Sequence, residues 1–196
     1  MNLPAFITAD MIFDFAHFHR VVKLAVRNTD RVLDQTHYPI STARNTAQST
    51  RPIGIGVQGL ADVFRMLKYP FDSPEAAEIN VMIFECLYHA AWEASADLAE
   101  DEGPYERWND SPASRGLLQY DLWSITPSAR YDFSALKERV ATTGVRNSVL
   151  TAQMPTATTS QITGNNDSVD PYTRSANITF SPALARCSCK PFRFQQ

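Results

Sequence analysis

Apolar residues recur at helical spacing near the start of the chain, and a capping residue precedes them. Asp14 is a good N-cap, so the pattern predicts a helix that runs from there to about Gln35. The apolar stripe of this helix consists of Phe15, Phe18, Val21, Val22, Ala25, Val26 and Val32.

A second long helix is predicted after residue 73. Ser73-Pro74-Glu75 combines an N-cap serine, a proline at the first helical position and an acidic first turn. Gly103-Pro104 ends the helix. Its alanine-rich second half predicts close packing against another element. The apolar face consists of Ile79, Met82, Ile83, Cys86, Leu87, Ala90, Ala94 and Leu98.

The remaining pattern predicts shorter elements. Further helices are predicted over 59–68, 117–123 and 132–143, and 36–50 is a polar connection with some helical content. A short apolar run with glycines at 53–57 predicts a buried strand or an extended segment, and 148–152 predicts a strand. A turn after Met154 leads into a short helix that ends before Gly164. The predicted fold class is therefore α/β and rich in helices.

Composition excludes several classes of protein. The 196 residues include 44% hydrophobic ones and carry a net charge of −3, which argues against a disordered chain or a generic basic nucleic-acid binder. No charge-free apolar run reaches the ~20 residues of a membrane span. The three cysteines form no disulfide framework, and the N-terminus has no secretory signal pattern. We therefore expect a cytoplasmic protein with no membrane partner.

A glycine pattern at 54–59 matches G-x-G-x-x-G, which can hold the phosphates of a dinucleotide. The preceding strand is cut short by Pro52, and no acidic residue follows at the required distance of about 20 positions. Close packing of two backbone segments is the better interpretation of these glycines.

The segment Met154 to Gln161 joins a predicted strand to a predicted helix among hydroxyl residues. Free N–H groups at a helix start, together with threonine hydroxyls, can cradle a phosphate. A simple threonine or serine cap is the alternative, and composition alone favours it.

Other chemistry has weak support in the residues. The histidines form no convincing ligand set with another His, Cys or carboxylate at a spacing of three or four, so no metal site is predicted. Cys86 lies on an apolar helix face and is expected to be inert, and Cys187-Ser188-Cys189 is not a C-x-x-C motif. No catalytic residue is predicted in this chain. The histidines are His17, His19, His37 and His89.

Many collinear blocks between about residues 2 and 173 resemble the large catalytic subunit of class I ribonucleoside-diphosphate reductase, eukaryotic type. The longest block is Arg51 to Asp62, and the others follow it in order along the chain. They are Tyr69-Pro70-Phe71, Glu93-Ala94-Ser95, Gly103 to Glu106, Gln119 to Trp123, Arg146-Asn147-Ser148, Met154 to Ala157, Gly164-Asn165-Asn166 and Asp170 to Thr173.

The resemblance implies a fold and a domain organisation. The family's catalytic domain is a ten-stranded α/β barrel, and this chain is similar to a slice from its second half. Residues 1–173 are expected to be part of that barrel domain. Residues 174–196 do not resemble the family and are expected to form a divergent, irregular tail.

The resemblance also implies a chemistry, the reduction of ribonucleoside diphosphates to deoxyribonucleotides for DNA synthesis. The segment 155–159 resembles the loop that holds the substrate diphosphate. Hydroxyls and backbone N–H groups of Thr156, Thr158 and Thr159 would donate to phosphate oxygens, Ala157 would leave room, and Pro155 would shape the turn.

The resemblance further implies which parts lie elsewhere. The family's radical cysteine, reducing cysteine pair and regulatory nucleotide sites match no residue of this chain. The family relies on a radical cofactor of its small subunit and on ATP or deoxynucleotide effectors, so no cofactor is expected in this chain. The expected partners are the diphosphate substrate, the small subunit and a second large subunit. The chain alone is expected to be inactive. Alternatively, it is a truncated protein that binds or modulates full-length reductase subunits.

Overall fold

The computed structural model describes residues 1–172 and the backbones of two later strands. The helices are α1 (Phe15–Gln35), α2 (Ser41–Thr50), α3 (Leu60–Met66), α4 (Pro74–Glu102), α5 (Gln119–Leu122), α6 (Phe133–Thr143) and α7 (Thr159–Thr163). Single 3-10 turns cover Leu3–Phe6, Trp108–Asp110 and Ala113–Arg115. The strands β1 (Ala176–Phe180) and β2 (Cys187–Pro191) pair antiparallel with each other.

The starts of α1 and α4 confirm the two capping residues that the sequence predicts, and α6 begins with a cap of the same kind. The Asp14 carboxylate accepts a hydrogen bond of 2.8 Å from the backbone N–H of His17 at the start of α1. Asp132 accepts one of 2.9 Å from the N–H of Ala135 and so caps α6. The Ser73 hydroxyl does the same for α4. Each cap satisfies an N–H group that the helix cannot pair internally.

The described residues divide into two compact units. The first comprises 1–13, 57–78 and the described residues from 154 onward. The second comprises 14–56 and 79–153. The long helix α4 contributes its first turn to the first unit and its remaining turns to the second.

The core of the second unit contains the predicted apolar face of α1. Phe18, Val22 and Val26 are fully buried, whereas Val32 is 58% exposed, so its predicted place in the stripe is wrong. Asp30 continues the buried side instead, because its carboxylate is paired inside the unit with Arg51. The buried hydrophobic positions that α4 contributes to this unit are Ile79, Ile83, Cys86, Leu87, Ala90, Ala91, Ala94, Ala96, Leu98 and Ala99.

The segments predicted at 53–57 and 148–152 lie side by side and form a single parallel bridge. This confirms an extended segment at 53–57 rather than a strand, and the regular strand predicted at 148–152 is wrong. Ile55 is bridged to Thr151. The N–H of Ile55 donates to the carbonyl of Leu150 at 2.9 Å, and the N–H of Ala152 donates back to Ile55 at 3.2 Å. The described residues therefore confirm a helix-rich chain, and in this unit the parallel pairing of extended segments is limited to that bridge.

The first unit is built around α3 and the turn Leu3–Phe6. The N–H of Gln58 donates to the carbonyl of Met1, and the N–H of Leu3 donates back to Gln58. Leu3, Leu60 and Val63 are buried in this unit. The predicted tail 174–196 lies outside the described residues except for the backbones of β1 and β2, so its boundary at residue 173 stays a prediction.

Candidate functional site

The predicted phosphate loop lies in the first unit as an exposed turn that leads into α7. Thr156 adopts a left-handed backbone with a φ of 55°, which is uncommon for a β-branched residue. Thr158 is the N-cap, and the N–H of Ser160 donates to the carbonyl of Thr156 at 2.9 Å. Gly164 ends the helix with a φ of 74°. The segment therefore forms a turn into a short helix that ends at Gly164, as the sequence predicts.

The three threonine hydroxyls of the loop differ in their partners. Thr156 Oγ1 accepts a hydrogen bond of 2.7 Å from the backbone N–H of Ser168. The Thr159 hydroxyl donates to Gln58 Oε1 at 2.8 Å. The side chain of Thr158 is exposed, and its hydroxyl makes no hydrogen bond within the described part of the chain. Thr158 is therefore the hydroxyl best able to meet a ligand. The Thr159 hydroxyl already donates to Gln58, whereas Thr156 only accepts and its O–H can still donate.

The backbone N–H groups at the start of α7 point to the same conclusion. Those of Ala157, Thr158 and Thr159 make no backbone hydrogen bond within the residues that the structure describes. The first N–H groups of any helix lack internal partners and carry partial positive charge. All three residues are exposed, and Ala157 adds only a methyl group. An anionic oxygen could therefore approach these donors.

The side chain of Gln58 supports the predicted phosphate loop through hydrogen bonds. This side chain is 6% exposed. It accepts from the Thr159 hydroxyl, and its Nε2 donates to Thr163 Oγ1 at 2.7 Å. One buried amide thus holds both ends of α7, which is too short to be stable alone. Sequence reasoning missed this role because Gln58 is 101 residues from Thr159 along the chain.

The glycine motif performs packing roles. In the second unit, a Cβ on Gly54 would come 3.0 Å from the Cβ of Ala152. In the first unit, Gly59 has a φ of 77°, and a Cβ there would come 2.7 Å from Pro4 Cδ. These contacts support close backbone approach, the better of the two interpretations of this motif.

A second buried group, Asp62, fixes the segment that follows α7. Its carboxylate accepts a hydrogen bond of 2.7 Å from the backbone N–H of Asn166 and another of 2.5 Å from the Tyr172 hydroxyl. Burial and the neighbouring Asp62 carboxylate both raise the pKa of Tyr172. The Arg65 guanidinium lies 5.7 Å from the centroid of the Tyr172 ring. Asp62 therefore ties residues 166–172 to α3.

The cysteines offer no reactive group within the described side chains. Cys86 is fully buried on α4, as the sequence predicts. Burial raises the pKa of its thiol, which disfavours the reactive thiolate. Cys187 and Cys189 lie on β2, and their side chains are outside the described residues.

A cluster that the sequence analysis did not identify lies in the second unit. His19 Nε2 on α1 is 3.2 Å from His89 Nδ1 and 3.5 Å from Glu93 Oε2, both on α4. His89 and Glu93 are four residues apart and share a helix face, which is a signal that the sequence carries. His19 is 70 residues away, so only the packing of α1 on α4 could add it.

Comparison with known families places the chain clearly. Residues 1–179 match the family described as "Ribonucleotide reductase, barrel domain". The chain is 48% identical over 171 residues to the ribonucleoside-diphosphate reductase large subunit of Danio rerio, and the match covers 87% of this chain. It is 50% identical over 174 residues to the large chain of Neurospora crassa, which covers 88% of this chain. It is 54% identical over 161 residues to the large subunit of Variola virus, covering 82% of this chain.

The matches cover only part of those relatives. The chain spans 22% of the Danio rerio protein, 19% of the Neurospora crassa protein and 21% of the Variola virus protein. No helix among the described residues is long and apolar enough to cross a membrane. With most of its length matched to one family model and to large subunits at about half identity, the chain belongs to the ribonucleoside-diphosphate reductase large-subunit family.

Proposed function

We propose that residues 155–159 hold the diphosphate of a ribonucleoside diphosphate, as the substrate loop of a reductase large subunit. The observation that carries the proposal is the exposed start of α7, where three adjacent N–H groups lack backbone partners within the described residues. Membership of the family supports the proposal. Residues 155–159 also resemble the segment that forms the substrate site in this family. The proposed reaction is reduction of the ribonucleoside diphosphate to the deoxyribonucleotide.

The proposed roles follow from the contacts of each residue. The N–H groups of Ala157, Thr158 and Thr159 donate to phosphate oxygens, and the Thr158 hydroxyl adds a fourth donor. Pro155 and Thr156 shape the turn, and the left-handed backbone of Thr156 turns the chain into α7. A hydrogen bond to a charged oxygen is roughly twice as strong as a hydrogen bond between neutral groups.

The remaining parts of the proposal concern the whole enzyme. Residues 1–173 are a slice from the second half of a ten-stranded α/β barrel, and the parallel bridge between Ile55 and Thr151 supports this. The radical and redox cysteines, the small-subunit radical cofactor and the effector nucleotides lie outside this slice. Its partners are the small subunit and a second large subunit, in the cytoplasm. The slice alone therefore binds substrate phosphate without reducing it.

Calorimetric titration of the 196-residue chain with cytidine diphosphate tests the proposal, and cytidine serves as the ligand without phosphate. We expect the diphosphate to bind and cytidine not to bind measurably. Thr158→Val should weaken binding about tenfold, the worth of one hydrogen bond to a charged group. Thr42→Val, at an exposed threonine on α2, is the matched control and should bind normally.

The experiment also separates binding from loop support. Thr159→Val removes the hydrogen bond to Gln58, so it should lower the free energy of unfolding by about 1 kcal/mol as well as affinity. Thr158→Val should leave the free energy of unfolding unchanged. Equal affinity of the wild-type chain for cytidine diphosphate and cytidine would rule out a phosphate loop here.

A second candidate function is binding to full-length reductase subunits, and an apolar groove in the second unit favours it. The groove has a volume of about 580 Å³. Trp123 at its edge is 66% exposed, and Val81 and Ile125 are more than half exposed. Exposed apolar surface of this kind is characteristic of protein interfaces.

Sedimentation of the chain with a full-length large subunit, and separately with a small subunit, tests this candidate. We expect a complex with one of them that Trp123→Ser weakens and Phe71→Ser does not, since Phe71 is exposed outside the groove. Sedimentation of the chain as an independent species in both mixtures would exclude the modulator function.

A further inference from the structure

Two imidazoles and a carboxylate converge in the second unit, and none of them belongs to the proposed diphosphate loop. One donor atom from each of His19, His89 and Glu93 lies within 4.8 Å of the other two. The side chains of His19 and Glu93 are 21% and 30% exposed, so an ion could reach them from solvent. Two His and one Glu are a donor set that Zn²⁺ uses with a fourth, open position.

The spacing of the donor atoms fits a tetrahedral ion. Zinc bonds of about 2.0–2.1 Å place neighbouring ligand atoms of a tetrahedron about 3.3–3.4 Å apart. His19 Nε2 is 3.2 Å from His89 Nδ1 and 3.5 Å from Glu93 Oε2. All three donor atoms lie within 4.8 Å of one another, so rotation of the side chains can bring them to one ion.

Neighbouring rings hold the two imidazoles in place. The Tyr131 ring stacks on His89 with centroids 4.7 Å apart and on His19 with centroids 5.9 Å apart. Phe133 meets the His89 ring edge to face at 5.4 Å. Rings that are already ordered lose little entropy when they bind an ion.

The local charges favour an exchange of one cation for another. Lys23 Nζ lies 3.2 Å from Glu93 Oε2 and 2.9 Å from Asp97 Oδ2. If an ion takes Glu93, Lys23 keeps Asp97 as its partner.

We propose that His19, His89 and Glu93 form a binding site for Zn²⁺ or a similar divalent transition metal, with Lys23 occupying Glu93 when the metal is absent. Its position between α1 and α4 means that the ion would cross-link the two longest helices of the second unit. The site is independent of the proposed diphosphate loop, since its residues lie in the other unit.

Titration of the 196-residue chain, without a polyhistidine tag, with Zn²⁺ by calorimetry and with Co²⁺ by visible absorption tests the site. We expect one ion per chain and the absorption of tetrahedral Co²⁺. His89→Ala and Glu93→Gln should each weaken Zn²⁺ binding by about 100-fold or more, beyond the effect of losing an outer-shell partner. His37→Ala, at an exposed histidine outside the cluster, should leave it unchanged.

Lys23→Met gives the sharpest outcome, because it should strengthen Zn²⁺ binding about tenfold by removing a competing positive charge. Asp97 stays paired in this variant through Arg139 at 2.7 Å. A gain in affinity cannot result from misfolding. Binding that survives both His89→Ala and Glu93→Gln, or no binding by the wild-type chain, would overturn the proposal.

Discussion

Asp30 should be among the most sensitive positions for the stability of the second unit. Its carboxylate is 1% exposed and receives a two-bond contact from Arg51, with Nε to Oδ1 at 3.0 Å and Nη2 to Oδ2 at 2.9 Å. Asn147 Nδ2 donates to the same Oδ1 at 2.7 Å. We therefore consider the substitution Asp30→Asn, which keeps the size of the side chain and removes its charge.

The magnitude follows from what remains after the substitution. Arg51 is 5% exposed, and leaving one partner of a buried ion pair uncompensated costs about 3–5 kcal/mol. Asp34 still forms an ion pair with Arg51 at 2.8 Å in this variant, so the Asp34 carboxylate continues to offset part of the buried positive charge of Arg51. We therefore expect Asp30→Asn to lower the free energy of unfolding by about 3 kcal/mol, toward the lower end of that range.

Urea denaturation measured by circular dichroism checks this value. Asp34→Asn is the matched control, because Asp34 contacts the same guanidinium but is 48% exposed. It should cost about 1 kcal/mol or less, as solvent-exposed ion pairs do. The reasoning is refuted if both variants have the same midpoint and slope, since burial would then make no difference to the pair.

Three further predictions test backbone strain, burial and titration. Gly59→Ala should lower the free energy of unfolding by about 2–3 kcal/mol, because the added Cβ would clash with Pro4. Gly116→Ala is the control: Gly116 has a φ of 76° but open space around it, so this variant should lose only about 1 kcal/mol. Urea denaturation of the two variants measures the difference. Alkylation of Cys86, mapped by mass spectrometry, should be about 100-fold slower in the native chain than in urea, because the thiol is buried and its pKa is raised. The free energy of unfolding, measured in EDTA, should fall as the pH drops from about 7 to 5. Burial holds the pKa of His19 and His89 below 6.5 in the folded chain, so the unfolded chain binds more protons over this range. His89→Asn should make the free energy of unfolding less dependent on pH.

Local signals predicted most of the helical structure. The caps at Asp14 and Ser73 identify two helix starts because a capping side chain acts within its own turn. The exposed turn before α7 is likewise a local property of residues 154–160.

Contacts between distant residues account for what the sequence could not predict. Hydrophobic spacing placed Val32 in the core of α1, but the pairing with Arg51 buries Asp30 instead. Gln58 and Thr159 are 101 residues apart in the sequence but form a hydrogen bond. The Thr159 hydroxyl, which the sequence predicts to contact phosphate, therefore stabilises α7. His19 joins Glu93 only because two helices pack together. In each case the partner is chosen by tertiary packing, which no short window of sequence contains.

The most direct test of the proposed diphosphate loop is a titration of the chain with cytidine diphosphate followed by backbone amide NMR. We expect the amide signals of Ala157, Thr158 and Thr159 to shift with the diphosphate and to remain in place with cytidine, because the N–H groups at the start of α7 donate to phosphate. Unchanged signals for these three residues, at concentrations where calorimetry detects binding, would contradict this expectation and place the nucleotide elsewhere on the chain.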